Sequence, residues 1–515
     1  MARCPSTDEG GFMFCNRFAA SLCTVLGTWC WLLSFASTGL AAEFLVISDI
    51  HFNPMGQLSK SQFQTLHDLP ADQWGNFLIQ LAPQPNGLGQ DSNYALMTSA
   101  LDAAQKRLPE PAFVLYPGDF LAHDWQATYD KLAPQTIAEN PEAFRQFTNK
   151  ALMVISAEFE KRFPRTPILA TLGNDDSYCG DYWIQPGGSF LKAFAETWRP
   201  RLGDPATQAS FDETFPRLGA YRADLPGFAQ DRLLVLNSVL WSGSYCCAYH
   251  APGNQNCCEC SNPGTQPGRE LMAWFKQELA QAKLDGKRIW LLMHVPPGLD
   301  SYVEEKSSGK SKAAEMWTDE FITRYLALID EYRDILHVSF TGHTHMDDYR
   351  IDQIDGEPVL LHKISPAVSP IFGNNAAFQV FHTADDSSLI THWECHMLNL
   401  ASLPKAPLPA WRQEYDSRRT YGLEEVTARS MTALLQKMRA NPTEEHATAY
   451  RQFYTVSAST ISTKDLPIYL CTVLNSTFEA FTRCLKSHGL EKPTHVAEPA
   501  ELRRNAGKIA SSASP

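Results

Sequence analysis

The chain has 515 residues, of which 44% are hydrophobic and 20% charged, and this is the composition of a globular protein rather than a disordered one. The net charge of −13 argues against nucleic acid as a main partner, because neutralising a phosphate backbone requires a basic surface. An acidic chain can still bind phosphate esters where bound metal ions supply the positive charge locally.

The N-terminus is predicted to be a secretory signal peptide over residues 1–42. No charged residue occurs from Phe18 to Ala42, and the run ends in small residues before Glu43. This pattern is typical of a cleaved signal and predicts a secreted or periplasmic protein, or one of a lysosome-like or vacuole-like lumen. An uncleaved membrane anchor is the alternative, because the apolar run approaches the length that spans a bilayer.

Cysteine use agrees with export. Four of the 13 cysteines lie in the predicted signal, and the nine that follow would pair in an oxidising compartment and leave at least one unpaired. We predict a disulfide between Cys471 and Cys484. The dense group of five cysteines between residues 246 and 260 is predicted to staple a surface loop over residues 243–268, with zinc binding as the alternative.

Short apolar runs, each followed by polar or glycine-bearing residues, predict six buried strands. They are Phe44–Ser48, Phe113–Tyr116, Ile168–Thr171, Leu233–Leu236, Ile289–Met293 and Val338–Phe340. Amphipathic segments between them predict four helices. These are Tyr94–Arg107, Pro141–Arg162 with Asn140 as N-cap, Glu270–Ala282 and Glu315–Tyr332. The alternation predicts an α/β architecture with functional residues at the carboxyl ends of the strands.

Strand patterns fade from about Tyr415, and helical patterns follow over Tyr421–Arg439, His446–Tyr454 and Pro467–His488. We therefore predict a main domain over residues 43–400 and a small helical C-terminal subdomain over residues 401–490. Residues 491–515 are rich in Ala, Ser and charge and are predicted to form a disordered tail.

Five polar clusters directly follow five of the predicted strands. In chain order they are Asp49-Ile50-His51, Gly118-Asp119, Gly173-Asn174-Asp175-Asp176, His294 and Gly342-His343-Thr344-His345. Any one of them alone means little. Five in succession, each at a strand end, indicate a functional site.

These residue types suit two divalent metal ions held close together. Such ions need a shared anionic oxygen ligand to offset their repulsion, and an aspartate can bridge them whereas a histidine cannot. Imidazole and carboxylate ligands favour zinc, which is our expectation, with manganese or iron as alternatives.

The ordered set resembles the calcineurin-like metallophosphoesterases. More narrowly, it resembles the acid sphingomyelinase-like phosphodiesterases and the related endopolyphosphatases, through GDFLAHD at 118–124, HVPPG at 294–298, GHTHMDD at 342–348 and SPIFGNN at 369–375. The resemblance covers about residues 44–488. It implies a β-sandwich flanked by helices, with a catalytic domain over residues 43–400. It also implies hydrolysis of phosphodiesters or pyrophosphates by in-line attack of a metal-activated water.

Carried over position by position, the resemblance implies a role for each motif residue. Asp49, His51 and His345 would hold one ion, Asn174, His294 and His343 would hold the other, and Asp119 would bridge them. His123 would be the general acid, with a structural histidine as the alternative. Three further carboxylates, Asp124, Asp176 and Asp347, are expected to support the ligands from behind.

Asp175 occupies the position where the family commonly has histidine. A carboxylate there would repel a phosphate anion unless it were protonated or paired. Either His123 alone serves as the acid, or Asp175 has a raised pKa and takes part in catalysis.

The substrate is expected to be a small phosphoester: a nucleotide, a choline phosphodiester, polyphosphate or sphingomyelin. No saposin-like lipid-extracting module separates the predicted signal from Phe44, which favours the soluble candidates. A peripheral membrane contact through the C-terminal helices stays open. Two other functions also stay open: a phosphomonoesterase of the same superfamily, and a non-enzymatic exported binding protein with a structural metal site.

Overall fold

The computed structural model describes residues 42–245, 264–300, 312–313, 315–385, 387–401, 410–490 and 494–495. The predicted signal peptide, apart from Ala42, lies outside these ranges, as do most of the cysteine-rich loop and most of the predicted tail. Within the described ranges, no helix is both long and apolar enough to cross a bilayer.

The strands of the described residues are numbered in chain order. They are β1 (Glu43–Val46), β2 (Val114–Tyr116), β3 (Ile168–Ala170), β4 (Tyr221–Asp224), β5 (Asp231–Leu236), β6 (Arg288–Met293), β7 (Lys312–Ala313), β8 (Leu336–Thr341), β9 (Asp348–Ile354), β10 (Glu357–Ile364), β11 (Ala376–Thr383), β12 (Ile390–Leu398), β13 (Trp411–Asp416) and β14 (Thr494–His495).

The helices of the same residues are numbered likewise. They are α1 (Lys60–Asp68), α2 (Ala71–Leu81), α3 (Tyr94–Arg107), α4 (Trp125–Leu132), α5 (Pro141–Arg162), α6 (Ser189–Trp198), α7 (Pro205–Leu218), α8 (Gln266–Leu284), α9 (Asp319–Glu331), α10 (Ser417–Tyr421), α11 (Ala428–Ala440), α12 (Glu445–Phe453), α13 (Leu466–Val473) and α14 (Phe478–Ser487).

Twelve of these strands form two six-stranded mixed sheets. The first sheet has the order β13-β12-β11-β1-β2-β3 and the second the order β4-β5-β6-β8-β10-β9. In the first sheet β1, β2 and β3 run parallel, and in the second β5, β6, β8 and β10 do. The carboxyl ends of parallel strands meet at one edge, so each sheet collects its strand-end residues there.

An aromatic core joins the two sheets face to face. The Phe44 ring of β1 lies 5.5 Å from the Trp290 ring of β6 and 5.6 Å from the Phe340 ring of β8, measured between centroids. All three side chains are fully buried, and each contributes roughly 1.5–3 kcal/mol through removal from water. The predicted α/β fold, a β-sandwich flanked by helices, is confirmed.

The six predicted strands correspond to β1, β2, β3, β5, β6 and β8, with ends that differ by at most two residues. Helices α3 and α5 have the predicted bounds. Asn140 caps α5, because its side chain accepts a hydrogen bond from the Ala143 amide at 3.1 Å, and Pro141 fits the first turn, where no amide hydrogen is needed.

Four helical predictions were wrong in extent. Glu270–Ala282 was too short, because α8 runs from Gln266 to Leu284. Glu315–Tyr332 began too early, because Glu315 and Trp317 form β-bridges and α9 starts at Asp319.

Two more predictions in the C-terminal region were also wrong. The segment Pro467–His488 is two helices, because the chain leaves α13 at Leu474 and Thr477 caps α14 by accepting from the Ala480 amide at 3.3 Å. The predicted Cys471–Cys484 disulfide is confirmed and joins these two helices.

The other prediction, Tyr421–Arg439, began too early. Gly422 ends α10 with a left-handed φ of 64°, and α11 starts only at Ala428 behind a capping box formed by Thr427 and Ser430. The domain boundaries at residues 42, 400 and 490 stay predictions. Within the predicted C-terminal subdomain, β13 extends the first sheet by pairing with β12.

Candidate metal centre

The motif residues leave five strands of both sheets and converge at one edge of the sandwich. Asp49 and His51 follow β1, Asp119 follows β2, Asn174 follows β3, His294 follows β6, and His343 and His345 follow β8. All seven side chains are at most 4% exposed. Such burial of polar groups is costly unless they are paired or hold an ion.

Asp119 lies at the middle of this cluster. Its Oδ2 is 3.2 Å from His51 Nε2 on one side and 3.0 Å from His294 Nε2 on the other. Its Oδ1 accepts a hydrogen bond from the Asp175 amide at 3.0 Å. Burial would raise the pKa of Asp119, but His294 and His51 outweigh it and hold that pKa well below its usual range. Asp119 is therefore an anion placed between two sets of imidazole ligands.

On one side of Asp119 lies a set made of Asp49, His51 and His345. The ligand atoms of Asp49, His51 and Asp119 lie within 4.8 Å of one another. His345 Nε2 is 3.1 Å from His51 Nε2 and 3.7 Å from Asp49 Oδ1. These donors lie close enough together to hold a single ion.

The other side holds a second set made of Asn174, His294 and His343. The ligand atoms of Asp119, His294 and His343 lie within 4.8 Å of one another, and Asn174 Oδ1 is 2.9 Å from His294 Nε2. The Nε2 atom of His343 is 3.1 Å from the Tyr182 hydroxyl.

Three of the histidines are oriented by backbone carbonyls. His51 Nδ1 is 2.9 Å from the Leu121 oxygen, His294 Nδ1 is 2.8 Å from the Pro117 oxygen, and His345 Nδ1 is 3.3 Å from the Ser369 oxygen. A carbonyl only accepts, so each Nδ1 donates, and in the neutral imidazole Nε2 then has the lone pair that can bind an ion. This is the tautomer a metal ligand requires, and the residues present therefore fit two divalent ions.

The backbone at the ligands is left-handed at five positions. The φ angles are 47° at Asp49, 44° at His51, 59° at Asp119, 74° at His343 and 65° at His345. Non-glycine residues rarely adopt this conformation, and each instance costs on the order of 1 kcal/mol. The turns after β1, β2 and β8 are therefore held in shape by the surrounding hydrogen bonds and packing.

Two motif glycines exist because a carboxylate lies where their Cβ would be. A Cβ on Gly173 would collide with the Asp119 carboxylate, and a Cβ on Gly342 would collide with the Asp49 carboxylate. The glycines of the Gly-Asn and Gly-His motifs thus allow the backbone to approach the ligands closely.

Asp176 lies behind Asp119 and is hydrogen-bonded to the loop that carries it. Its carboxylate accepts hydrogen bonds from the amides of Gly173, Phe120, Asp119 and Leu121, at 2.7, 2.8, 2.9 and 3.2 Å. Burial, reinforced by Asp119, raises the pKa of Asp176 to about 7. The four bonds fix the loop after β2 against the loop after β3.

The other two predicted supporting carboxylates lie elsewhere. Asp124 is exposed at the N-terminus of α4, in a left-handed conformation. Asp347 turns away from the ligands into the protein, where its Oδ1 accepts from Lys363 Nζ at 2.6 Å and its Oδ2 from the Tyr415 hydroxyl at 2.6 Å. Asp347 therefore anchors the His345 loop to β10 and β13 instead of touching a ligand.

His123 adjoins the first ligand set. Its ring stacks on the His51 ring with centroids 4.0 Å apart. Its amide and its Nδ1 both contact the Asp91 carboxylate, at 2.9 and 3.0 Å. Burial alone would lower the pKa of His123, but Asp91 and Asp175 outweigh it and raise that pKa to about 10. The ring is thus held with Nδ1 on Asp91 and Nε2 turned toward the centre.

Asp175 lies beside this imidazole. Its Oδ2 is 3.7 Å from His123 Nε2 and accepts from Asn174 Nδ2 at 3.1 Å. Burial, opposed by His123 but reinforced by Asp181, raises the pKa of Asp175 well above its usual range. The geometry thus pairs Asp175 with His123, which is one way a carboxylate is tolerated beside a phosphate.

Sequence reasoning missed Asp91, Asp181 and Tyr182. Asp91 holds His123 and also accepts from the Ser369 hydroxyl at 2.9 Å, while Asp181 accepts from Asn174 Nδ2 at 2.9 Å. All three residues lie in loops rather than directly after a strand. Asp181 lies seven residues after Asn174, and this spacing matches no motif that could have predicted the contact.

Two stacked mixed sheets that bring a central aspartate and two histidine-bearing sets to one edge define a metallophosphoesterase. Residues 42–347 match the family model described as calcineurin-like phosphoesterase, and the chain belongs to that family.

The sequence identity to individual relatives is low. The chain is 26% identical over 494 residues to the acid sphingomyelinase-like phosphodiesterase 3b of Mus musculus, covering 91% of this chain and 94% of the relative. It is 22% identical over 457 residues to the cyclic GMP-AMP phosphodiesterase SMPDL3A of Mus musculus, covering 87% and 92%. Among solved structures, a dimetal phosphatase from Danio rerio matches with a TM-score of 0.36 and 10% identity, covering 72% of this chain and 98% of that one.

Proposed function

We propose that the chain is an exported, dinuclear-metal phosphodiesterase. The position of Asp119 carries the proposal, because its Oδ2 lies 3.2 and 3.0 Å from histidine nitrogens of two different ligand sets. One carboxylate shared in this way is what two adjacent cations require. The nitrogen and oxygen donors favour zinc, with manganese or iron as alternatives.

The ions and the protein would contribute different parts of the proposed chemistry. When bound, two divalent ions would lower the pKa of a water nucleophile and offset negative charge on the phosphoryl oxygens. The chain itself fixes the ligands through the carbonyls behind His51, His294 and His345, so that no side chain has to rearrange during the reaction.

His123 is proposed as the acid that protonates the leaving oxygen. Asp91 takes its Nδ1, so only Nε2 can deliver a proton to the reaction centre. The Asp91 carboxylate, 3.0 Å from Nδ1, would keep the imidazole charged before the transfer. The alcohol leaving group of a diester needs a proton. A histidine that a carboxylate orients, with Nε2 directed at the reaction centre, is suited to supply it.

The relatives support the diester assignment, because both mouse relatives described above are named phosphodiesterases. Export is supported by the Cys471–Cys484 disulfide, since such bonds persist in oxidising compartments. Sequencing the N-terminus of protein recovered from the medium or the periplasm tests the cleavage predicted near residue 42.

The decisive experiment combines metal analysis with a substrate pair. Purified protein should contain about two metal ions per chain and hydrolyse bis-4-nitrophenyl phosphate faster than 4-nitrophenyl phosphate. His343→Ala should abolish activity and lower the metal content. A preference for the monoester would contradict the diesterase proposal, and one ion or none in active protein would contradict the dinuclear centre.

A further inference from the structure

A cleft of about 450 Å³ opens beside His123. Its walls are the turn after His51, the C-terminal part of α2, the loop that leads into α3, and the start of α4. Its volume falls within the range of small-molecule sites. None of the seven metal-ligand positions lines it, so it is a space distinct from the metal centre.

The cleft and the metal centre adjoin at His123. One face of the His123 ring stacks on His51 at 4.0 Å, and the residue also lines the cleft. Ile371 lines the cleft as well, while the next residue, Phe372, packs its ring 4.6 Å from the His345 ring and 5.3 Å from the His123 ring. A group attached to phosphorus through an oxygen near His123 would therefore have its body in the cleft.

The lining of the cleft combines apolar side chains with polar ones that are mostly uncharged. Leu58, Leu78 and Leu81 supply an aliphatic surface, with Leu81 39% exposed. Gln57 and Gln90 meet at its rim, where Gln57 Nε2 donates to Gln90 Oε1 at 3.3 Å. These residues suit an uncharged body that offers hydrogen-bonding groups to the rim and carbon to the interior.

The charges of the lining have one sign apart from His123. Its two carboxylates are Asp91 and Asp124, and the lining residues include neither lysine nor arginine. Asp91 already accepts from His123 and from Ser369, so its remaining effect on an occupant is repulsion of negative charge. A terminal phosphate or a carboxylate placed here would meet no cation apart from His123, which Asp91 already pairs.

We propose that this cleft is the leaving-group subsite and that it selects uncharged, partly apolar alcohols over anionic leaving groups. The inference rests on the proposed phosphodiesterase function and narrows it: polyphosphate, whose leaving group is an anion, is disfavoured. In the reaction a water oxygen forms the new bond to phosphorus and one of its protons passes to solvent. The bond from phosphorus to the leaving oxygen breaks with its electron pair, and His123 donates the proton that completes the alcohol.

Two substrates that differ only in the leaving group test the selection. The leaving group of methyl 4-nitrophenyl phosphate carries no charged substituent on its ring, and that of methyl 3-carboxy-4-nitrophenyl phosphate carries a carboxylate. We expect kcat/KM for the uncharged leaving group to be at least about tenfold higher, because the carboxylate enters a cleft lined by Asp91 and Asp124.

Two variants with matched controls assign the selection to the cleft. Gln57→Lys places a cation at the rim and should reduce the preference severalfold, whereas Gln281→Lys adds the same charge on α8, which packs against β5 and β6 of the second sheet. Leu81→Trp should fill the cleft and lower kcat/KM for both substrates by about tenfold. Leu284→Trp, at a position on α8 that is 83% exposed, should leave both within about twofold.

The outcomes distinguish failure of the proposed function from failure of the leaving-group subsite. If neither diester is hydrolysed by metal-loaded protein, the proposed function fails. If both are hydrolysed at similar rates and the Gln57 and Leu81 variants behave as their α8 controls do, the function stands and the leaving-group subsite is refuted. A circular dichroism spectrum and an unfolding midpoint like those of the unmodified protein show that a loss in Leu81→Trp arises in the cleft.

Discussion

From the contact between Asp91 and His123 we predict that the loss of kcat in an Asp91 variant depends on the leaving group. Asp91→Asn removes the charge that holds His123 Nδ1 at 3.0 Å while keeping the size of the side chain. A hydrogen bond to a charged group contributes about 1.5–3 kcal/mol, which corresponds to a roughly ten- to hundredfold loss in kcat if the bond orients the acid in the transition state. The full loss should appear only where the leaving group needs a proton.

Two substrates reveal that dependence. Glycerophosphocholine has an aliphatic leaving group and should show the full ten- to hundredfold loss, estimated from the hydrogen bond. Methyl 4-nitrophenyl phosphate releases a phenolate that is stable without a proton, and its kcat should fall by about threefold or less. Initial rates of both, followed by release of alcohol or phenol, give the comparison.

The pH profile should move in a defined direction. Burial opposes protonation of His123, and Asp91 is the foremost group that raises its pKa, to about 10. An acid is active while protonated, so activity is lost as pH rises through its pKa. Removing the Asp91 charge lowers that pKa, and the basic limb of the kcat profile should shift to lower pH.

Ser369→Ala is the matched control for this experiment. It deletes the hydroxyl that donates to Asp91 at 2.9 Å but leaves both the Asp91 charge and the Ser369 carbonyl that faces His345. We expect its rates on both substrates to stay close to those of the unmodified protein. Equal losses on both substrates in Asp91→Asn, with no shift of the basic limb, would refute the assignment of His123 as the acid held by Asp91.

Three further predictions concern the metal centre and the stability of the fold. Asp119→Asn should reduce the metal content from about two ions per chain to one or none, measured by elemental analysis after gel filtration, because an amide does not supply the shared anion. Lys363→Met leaves the buried Asp347 carboxylate without its cation and should lower the free energy of unfolding by about 3–5 kcal/mol in urea titrations; a loss below about 1 kcal/mol would show the pair to be dispensable. Burial raises the pKa of Glu414 to about 8, above its ordinary value of 4.5, so the folded state holds this proton more tightly than the unfolded chain does. Stability should therefore fall as pH rises from about 4.5 toward 8, and Glu414→Gln should flatten that part of the curve; an unchanged slope would contradict the assignment.

The strand-end residues were predictable because one local rule places them. Each ligand cluster directly follows a short apolar run, and parallel strands bring their carboxyl ends together whatever the rest of the chain does. The common edge of Asp49 and Asp119, which follow neighbouring strands of the first sheet, therefore followed from the sequence pattern. The rule does not explain why His294, which follows a strand of the second sheet, meets them. The assignment of individual roles depended on the family resemblance and stays a prediction.

Strands β9 and β10 were not predicted, and the reason is physical. They carry charged residues that are buried in pairs: His362 Nε2 lies 2.7 Å from Asp352 Oδ2, and Lys363 Nζ lies 2.6 Å from Asp347 Oδ1. A hydropathy pattern assigns such residues to the surface, because it contains no information on which partner neutralises them. The same limit hid Asp91, whose role depends on a contact with His123, 32 residues away.

The left-handed turns at the ligands restrict which residues can ever stand there. Branched and bulky side chains are disfavoured at φ angles between 44° and 74°, whereas Asp, Asn, His and Gly tolerate them. Three of these four residue types are themselves metal ligands. Most of the substitutions that the backbone tolerates at Asp49, His51 or His345 therefore give residues that can still bind an ion. The backbone conformation limits substitutions at these positions independently of selection on activity.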